Sequence, residues 1–337
     1  MTATRSDRSL GLLLGTLTPP EDIPRLSQLA ESLGYDELWF AEDYFYTGGF
    51  STTAAALAVT REMTVGIGIA SALVRHPAVL AMEISSIARM FPGRFRPGIA
   101  LGHPPAIRML DLYPRSPLRA VRECLTVVRA LLNGDEVDYV GDTFSARGVH
   151  LAHPVPGGLD LYQGGMAPRM LQLAGEIADG AIVPLMASPS YVTWVREQLA
   201  IGASRSDRPR SRQSVTVFVF LSIGDGAEAA RDSVRDTVAF YLYELSKVSA
   251  LPEEYGIPPV FKETATAGIE AVGEALRRTW PDELMAVGDP AHCAGQIERY
   301  FQAGADSVVL YPMPATQSEL LIRRASDELF APLRSEK

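Results

Sequence analysis

The chain has 337 residues, 47% of them hydrophobic and 21% charged, and carries a net charge of −9. That composition suits a globular protein with a large buried core and excludes a disordered chain. The acidic balance argues against nucleic acid or an anionic membrane as the main partner. Cys124 and Cys293 are the only cysteines, which fits reduced thiols and offers no disulfide framework. The segment before Leu10 is polar and mixed in charge. No apolar run approaches the ~20 residues of a membrane span, so the expectation is a cytoplasmic protein.

From Leu10 short apolar runs alternate with amphipathic helices. Leu10–Leu17 reads as a buried strand. Asp22–Leu33 repeats apolar residues at helical spacing and stops at Gly34. Glu37–Ala41 is a strand, Thr52–Thr60 a helix, Met63–Ala70 a strand, Ala78–Met90 a helix and Phe95–Leu101 a fourth strand. Ser116 and Pro117 open a helix whose face (Leu118, Val121, Leu125, Val128, Leu132) runs to Gly134. Glu136–Val149 is short and turn-rich, a small excursion.

Leu159–Gln163 and Gly180–Pro184 read as strands five and six, followed by helices at Pro168–Ala178 and Pro189–Gly202. An exposed polar loop, Arg205–Arg212, leads to the strand Val215–Ile223 and the helix Ala227–Leu245. Prolines at 252, 258 and 259 mark Ser246–Pro281 as an insertion with one helix, Ile269–Thr279. Asp289–Pro290 caps a helix ending at Gly304, Asp306–Tyr311 is strand eight, and Glu319–Leu333 is the last helix. Strict strand–helix alternation over eight units predicts parallel pairing with right-handed crossovers, a single-domain (β/α)8 TIM barrel with insertions. A doubly wound open sheet is the alternative.

In such a barrel, chemistry collects at the C-terminal ends of strands. Glu42 and Asp43 offer paired carboxylates there, fit either for proton transfer or for capping the next turn. His103, between Gly102 and Pro104, is a further proton-transfer candidate, although a lone histidine is more often structural. His76 precedes a helix-opening proline and reads as a packing residue. Gly164, Gly165, Met166 and Ala167 lead into Pro168, whose helix start can cradle an anion or serve as an ordinary turn. His150 and His153 have no partners at ligand spacing, so no metal site is expected. Gly-x-Ser-x-Gly, Walker and G-x-G-x-x-G patterns are missing after the strands, which disfavours a hydrolase and the common nucleotide folds.

Four stretches together resemble the luciferase-like superfamily, especially its coenzyme F420-dependent branch. They are Glu31–Asp43, Gly68–Ile69 with Arg75-His76-Pro77, Phe91–Gly102, and Gly164–Pro168 continuing through Ala174–Gly180. Val287–Pro290 and Ala303–Asp306 also fit, so the likeness spans about residues 10–333. The resemblance implies a flavin-type ring over a bulge at Gly68, Ile69, Ala70 and Ser71, with a non-prolyl cis peptide at Gly68–Ile69. It implies a phosphate held by Gly164, Gly165 and the helix at Pro168, with Gly102, Met166 and Ala167 beside the cofactor. Two departures stand out. Where that branch often has Asp-His after strand two, this chain has Glu42-Asp43. Where some members have a glutamate after the strand-four glycines, it has His103.

The implied activity is hydride transfer between F420 and a small organic substrate of C=N or C=C type, with Asp43, His103 and Glu42 as acid–base candidates. An FMN-dependent monooxygenase is the alternative, and a barrel that has lost its cofactor is disfavoured by the retained glycine segments. Arg75 and Arg169 are the cations expected nearest the acidic tail of F420. Small residues in Ala54–Ala58 and Ala81–Ile87 suggest a homodimer.

Overall fold

The computed structural model describes residues 8–335 apart from 156, 207–211 and 249–250. Most of the expected Arg205–Arg212 loop, and the N-terminal seven residues, therefore lie outside the described residues. The strands are β1 (Ser9–Leu14), β2 (Glu37–Phe40), β3 (Thr64–Ser71), β4 (Phe95–Ala100), β5 (Val137–Val140) and β6 (Ser145–Val149). They continue with β7 (Tyr162–Gly164), β8 (Gly180–Val183), β9 (Ser214–Ile223), β10 (Ala286–Gly288) and β11 (Ser307–Pro312).

Eight of these close into a ring. The order β1-β2-β3-β4-β7-β8-β9-β11 returns to β1, and every pair in it is parallel. Pairing of the last strand with the first rules out the open doubly wound sheet. β5 and β6 form a separate antiparallel hairpin, the excursion expected at Glu136–Val149.

The strands are apolar on both faces, as a parallel barrel wrapped in helices requires. Leu10 to Leu14 of β1 and Val215 to Ile223 of β9 are buried throughout. Inside the barrel the Trp39 ring meets Phe218 at 5.7 Å and Tyr162 at 6.0 Å between centroids. Its Nε1 donates to Glu37 at 2.9 Å, and Ser307 donates to the same carboxylate at 2.7 Å. Arg96 stands 3.5 Å from Glu37, so the buried charge is paired. The interior is a packed core, which leaves only the strand ends free for chemistry.

The helices are α1 (Ile23–Ser32), α2 (Gly49–Val59), α3 (Pro77–Met90), α4 (Pro104–Met109), α5 (Pro117–Asn133) and α6 (Pro168–Ile177). They continue with α7 (Pro189–Ala203), α8 (Ala227–Ser246), α9 (Pro259–Thr264), α10 (Ile269–Arg278), α11 (Pro290–Gln302) and α12 (Ser318–Ser335). Some terminal signals act as read from sequence, whereas Ser116 accepts no cap hydrogen bond and His76, read as a packing residue, caps a helix. Asp289 accepts from the His292 N–H at 2.9 Å, and Gly134 ends α5 with φ 95°. His76 caps α3 through Nδ1, and its Nε2 faces the Ser145 carbonyl at 3.0 Å.

α11 packs between α7 and α12 against β9 and β11. α8 lies against β9, β10, α9 and α10, and β10 extends the end of β9 from Ala286 opposite Leu221.

Candidate functional site

The loops after β2, β3 and β4 converge. Glu42 is fully engaged: Arg75 donates to its two oxygens at 2.6 and 2.8 Å, and the Gly49 N–H lies 3.3 Å from Oε1. Arg75 also pairs with Glu83 at 3.0 Å and stacks over Phe50 at 5.0 Å. Its guanidinium is thus held by two carboxylates, which makes it a poor clasp for an acidic cofactor tail. Glu42 likewise has the surroundings of an anchor, while its neighbour Asp43 is left to face the mouth.

Asp43 and His103 both reach solvent at the barrel mouth. Protein crowding around Asp43 lifts its carboxyl above the usual 3.8, and the charge of His103 pulls part of that back. The two side chains are therefore electrostatic neighbours although sixty residues separate them in sequence. A carboxyl with a raised affinity for its proton, near an imidazole, can hold or pass one proton.

Two tyrosines that the sequence did not single out, Tyr241 and Tyr311, lie near Asp43, with Phe220 packed on both. Phe220 at the end of β9 stacks on Tyr311 of β11 at 5.4 Å and meets Tyr241 of α8 edge-on at 4.8 Å. Burial, then the charge of Asp43, pushes the Tyr311 hydroxyl up to about 12. Burial also raises Tyr241, with Tyr311, Asp43 and Tyr46 adding. The register Tyr311 opposite Phe220 was available only once β9 and β11 were known to pair. Phe45, with a left-handed φ of 72°, points outward and is 67% exposed.

β3 carries the bulge. Its pairing with β4 runs Ile67–Pro97 and then Ala70–Ile99, so Gly68 and Ile69 are squeezed into one step. The Gly68–Ile69 peptide is cis, as the resemblance implied. Ile69 is half-buried and rests over Gly164: a Cβ there would stand 3.0 Å from Ile69 Cγ2 and 3.2 Å from the Ala100 Cβ. Glycine at 164 is what lets the bulge settle on β7. Ala70 and Ser71 are buried, and the Ser71 hydroxyl donates to the Leu101 carbonyl at 2.9 Å.

Beyond β7 the chain turns through Gly165, Met166 and Ala167 into α6. Ala167 gives this helix no side-chain cap, and Tyr191 donates to the Met166 carbonyl at 2.8 Å, fixing the turn. The amide N–H groups of Gly165, Met166 and Arg169 have no acceptor among the described residues. Half-exposed donors at an uncapped helix start suit a phosphate. Among the described residues no three metal-ligating side chains gather, and no helix is long and apolar enough to cross a membrane.

A closed (β/α)8 barrel with polar side chains, a bulge and free amides gathered at its strand ends has the architecture of a barrel enzyme. The chain belongs to the luciferase-like monooxygenase family, whose model matches residues 3–307. It is 25% identical over 297 residues to the 5,10-methylenetetrahydromethanopterin reductase of Methanolobus tindarius, covering 86% of this chain and 90% of that one. It is 24% identical over 330 residues to the F420-dependent glucose-6-phosphate dehydrogenase of Microbacterium testaceum, covering 94% of each. The solved structure of the coenzyme F420 dependent tetrahydromethanopterin reductase from Methanopyrus kandleri has the same fold. Its TM-score is 0.82 at 22% identity, over 97% of this chain and 100% of that chain.

Proposed function

We propose that the protein is an F420-dependent oxidoreductase acting on a small organic substrate with a C=N or C=C bond. The observation that carries this reading is the Gly68–Ile69 bulge settled on Gly164 beside the open amides of the Gly165 turn, with Asp43 and His103 near one another at the same barrel end. The names of two of the similar proteins contain F420, which favours the deazaflavin. An FMN-dependent monooxygenase on the same barrel is the second reading, favoured by the family's own description.

The residues present fit the cofactor. The N–H groups of Gly165, Met166 and Arg169 would hold its phosphate, and Ile69 would carry the ring. When bound, deazaflavin supplies a carbon that gives or takes a hydride. Asp43 and His103 hold the proton that accompanies that transfer, and Phe220, Tyr241 and Tyr311 keep water from it. Glu42 acts on this pair only through Arg75 and the loop that both residues fix. Arg169, exposed at the helix start, is the remaining cation suited to the acidic tail. The absorbance and mass of any small molecule that copurifies test this directly: a deazaflavin supports the reading, and FMN supports the second one.

A homodimer through α2 and α3 belongs to the same proposal. α2 contains no charged residue and leaves Ser51, Ala54, Ala55 and Ala58 at or near the surface. On α3, Val79 and Met82 are 44% and 52% exposed. Ala81, Ile84 and Ile87 cannot contribute, because they are buried in the protomer's own core. A cytoplasmic location accords with two buried free thiols, whose burial raises both above the ordinary thiol range.

A further inference from the structure

The placement of Asp43 relative to His103 needs a mechanical cause, since each sits on a different loop and both side chains reach solvent. The residue next to each supplies one. Tyr44 follows Asp43 and turns inward, while Phe45, left-handed at φ 72°, turns the chain outward again. The Tyr44 ring packs on Leu73, Ile107 and Ala120, a small apolar cluster separate from the main core, together with Leu101 and Phe144. Its hydroxyl is buried directly against Gly102, the residue before His103.

Gly102 is left-handed at φ 94°, and a Cβ there would run into the Tyr44 hydroxyl and stand 3.0 Å from Ser71 Oγ. Ser71 in turn donates to the Leu101 carbonyl at 2.9 Å and accepts from the Leu73 N–H at 3.2 Å. Three neighbouring strand ends are thereby stitched together: β2 through Tyr44, β3 through Ser71, and β4 through Leu101 and Gly102.

We infer that Tyr44 is the positioning residue of the site: wedged on Gly102, it sets the spacing between Asp43 and His103. The inference rests on the Asp43–His103 reading above. Its chemistry is geometric. Tyr44 touches neither cofactor nor substrate in this role, and acts only through Asp43 before it and Gly102 beneath its hydroxyl. The other titratable and charged groups that face Asp43 are Tyr46 on its own loop, Tyr241 of α8 and Tyr311 of β11. Glu42 and Arg75 complete the set around Tyr44. None of these bridges the β2 and β4 loops as Tyr44 does.

The test uses the full chain without added cofactor, following the Asp43 carboxyl carbon by NMR as pH is varied. In the native background His103→Gln removes a cation and moves the Asp43 titration upward. In a Tyr44→Ala background the same His103→Gln change is expected to move it by less than half as much. Tyr44→Phe keeps the ring and removes only the hydroxyl, so it should give an intermediate displacement in a better-filled site. An unchanged displacement in both Tyr44 variants overturns the positioning role while leaving the pair intact. No displacement in the native background removes the pair itself, and the inference with it.

Discussion

Arg75 grips both oxygens of Glu42, at 2.6 and 2.8 Å, and its Nε reaches Glu83 at 3.0 Å. The consequence is a fixed, largely neutralised post beside the mouth. Removing the cation leaves two carboxylates facing each other with little water. Arg75→Met should destabilise the fold by about 2 kcal/mol, at the low side for a broken ion pair because Arg75 is partly exposed. Urea denaturation at pH 7 measures this. A change within about 0.5 kcal/mol would show the post to be dispensable.

Asp43 and His103 are the proposed proton-transfer groups. Asp43→Asn and His103→Ala should each lower turnover by about a hundredfold, while cofactor affinity stays within a few-fold. Steady-state kinetics with parallel binding titrations separates the two effects. Full activity in both variants would shift the proton work to another group at the mouth.

The same aspartate predicts a pH effect on stability. Its folded pKa is raised above the usual 3.8, first by the protein crowded around the carboxyl. A raised carboxyl contributes stability that is fully present below the unfolded pKa and lost as pH rises through the folded one. Asp43→Asn removes that dependence. The variant should therefore gain stability relative to the native chain as pH rises from about 3.5 to neutrality. Denaturation curves collected across that range check the sign, and a constant difference would contradict it.

Ile69 rests on Gly164 with only 3.0 Å to spare for a Cβ. Gly164→Ala should push the bulge off β7 and weaken cofactor binding at least tenfold, about 1.4 kcal/mol. Calorimetric titration reads this, and native affinity in the variant would separate the bulge from the cofactor.

On α3, Met82→Glu places a charge on the proposed subunit face. Sedimentation should find the native chain dimeric at micromolar concentration and the variant shifted towards monomer. A native monomer removes the dimer outright.

Much of this is legible in the sequence. Period and punctuation marked the eight barrel strands, while the bulge at Gly68–Ile69 came from the family resemblance and the left-handed Gly102 was not foreseen. What stayed hidden depends on contacts between distant segments. The sequence shows Glu42 as one of two equivalent carboxylates, and only its partner Arg75 separates it from Asp43. Tyr241 and Tyr311 are ordinary amphipathic positions until β9, β11 and α8 are placed together. The strand β10, three residues long, carries too little pattern to be read at all.

Matched titrations of the purified protein with F420 and with FMN decide the identity of the cofactor. Saturable F420 binding at least about a hundredfold tighter than FMN binding is expected, a difference of about 2.8 kcal/mol. Tight FMN binding with no detectable F420 binding would contradict it and leave the oxygen-using monooxygenase in its place.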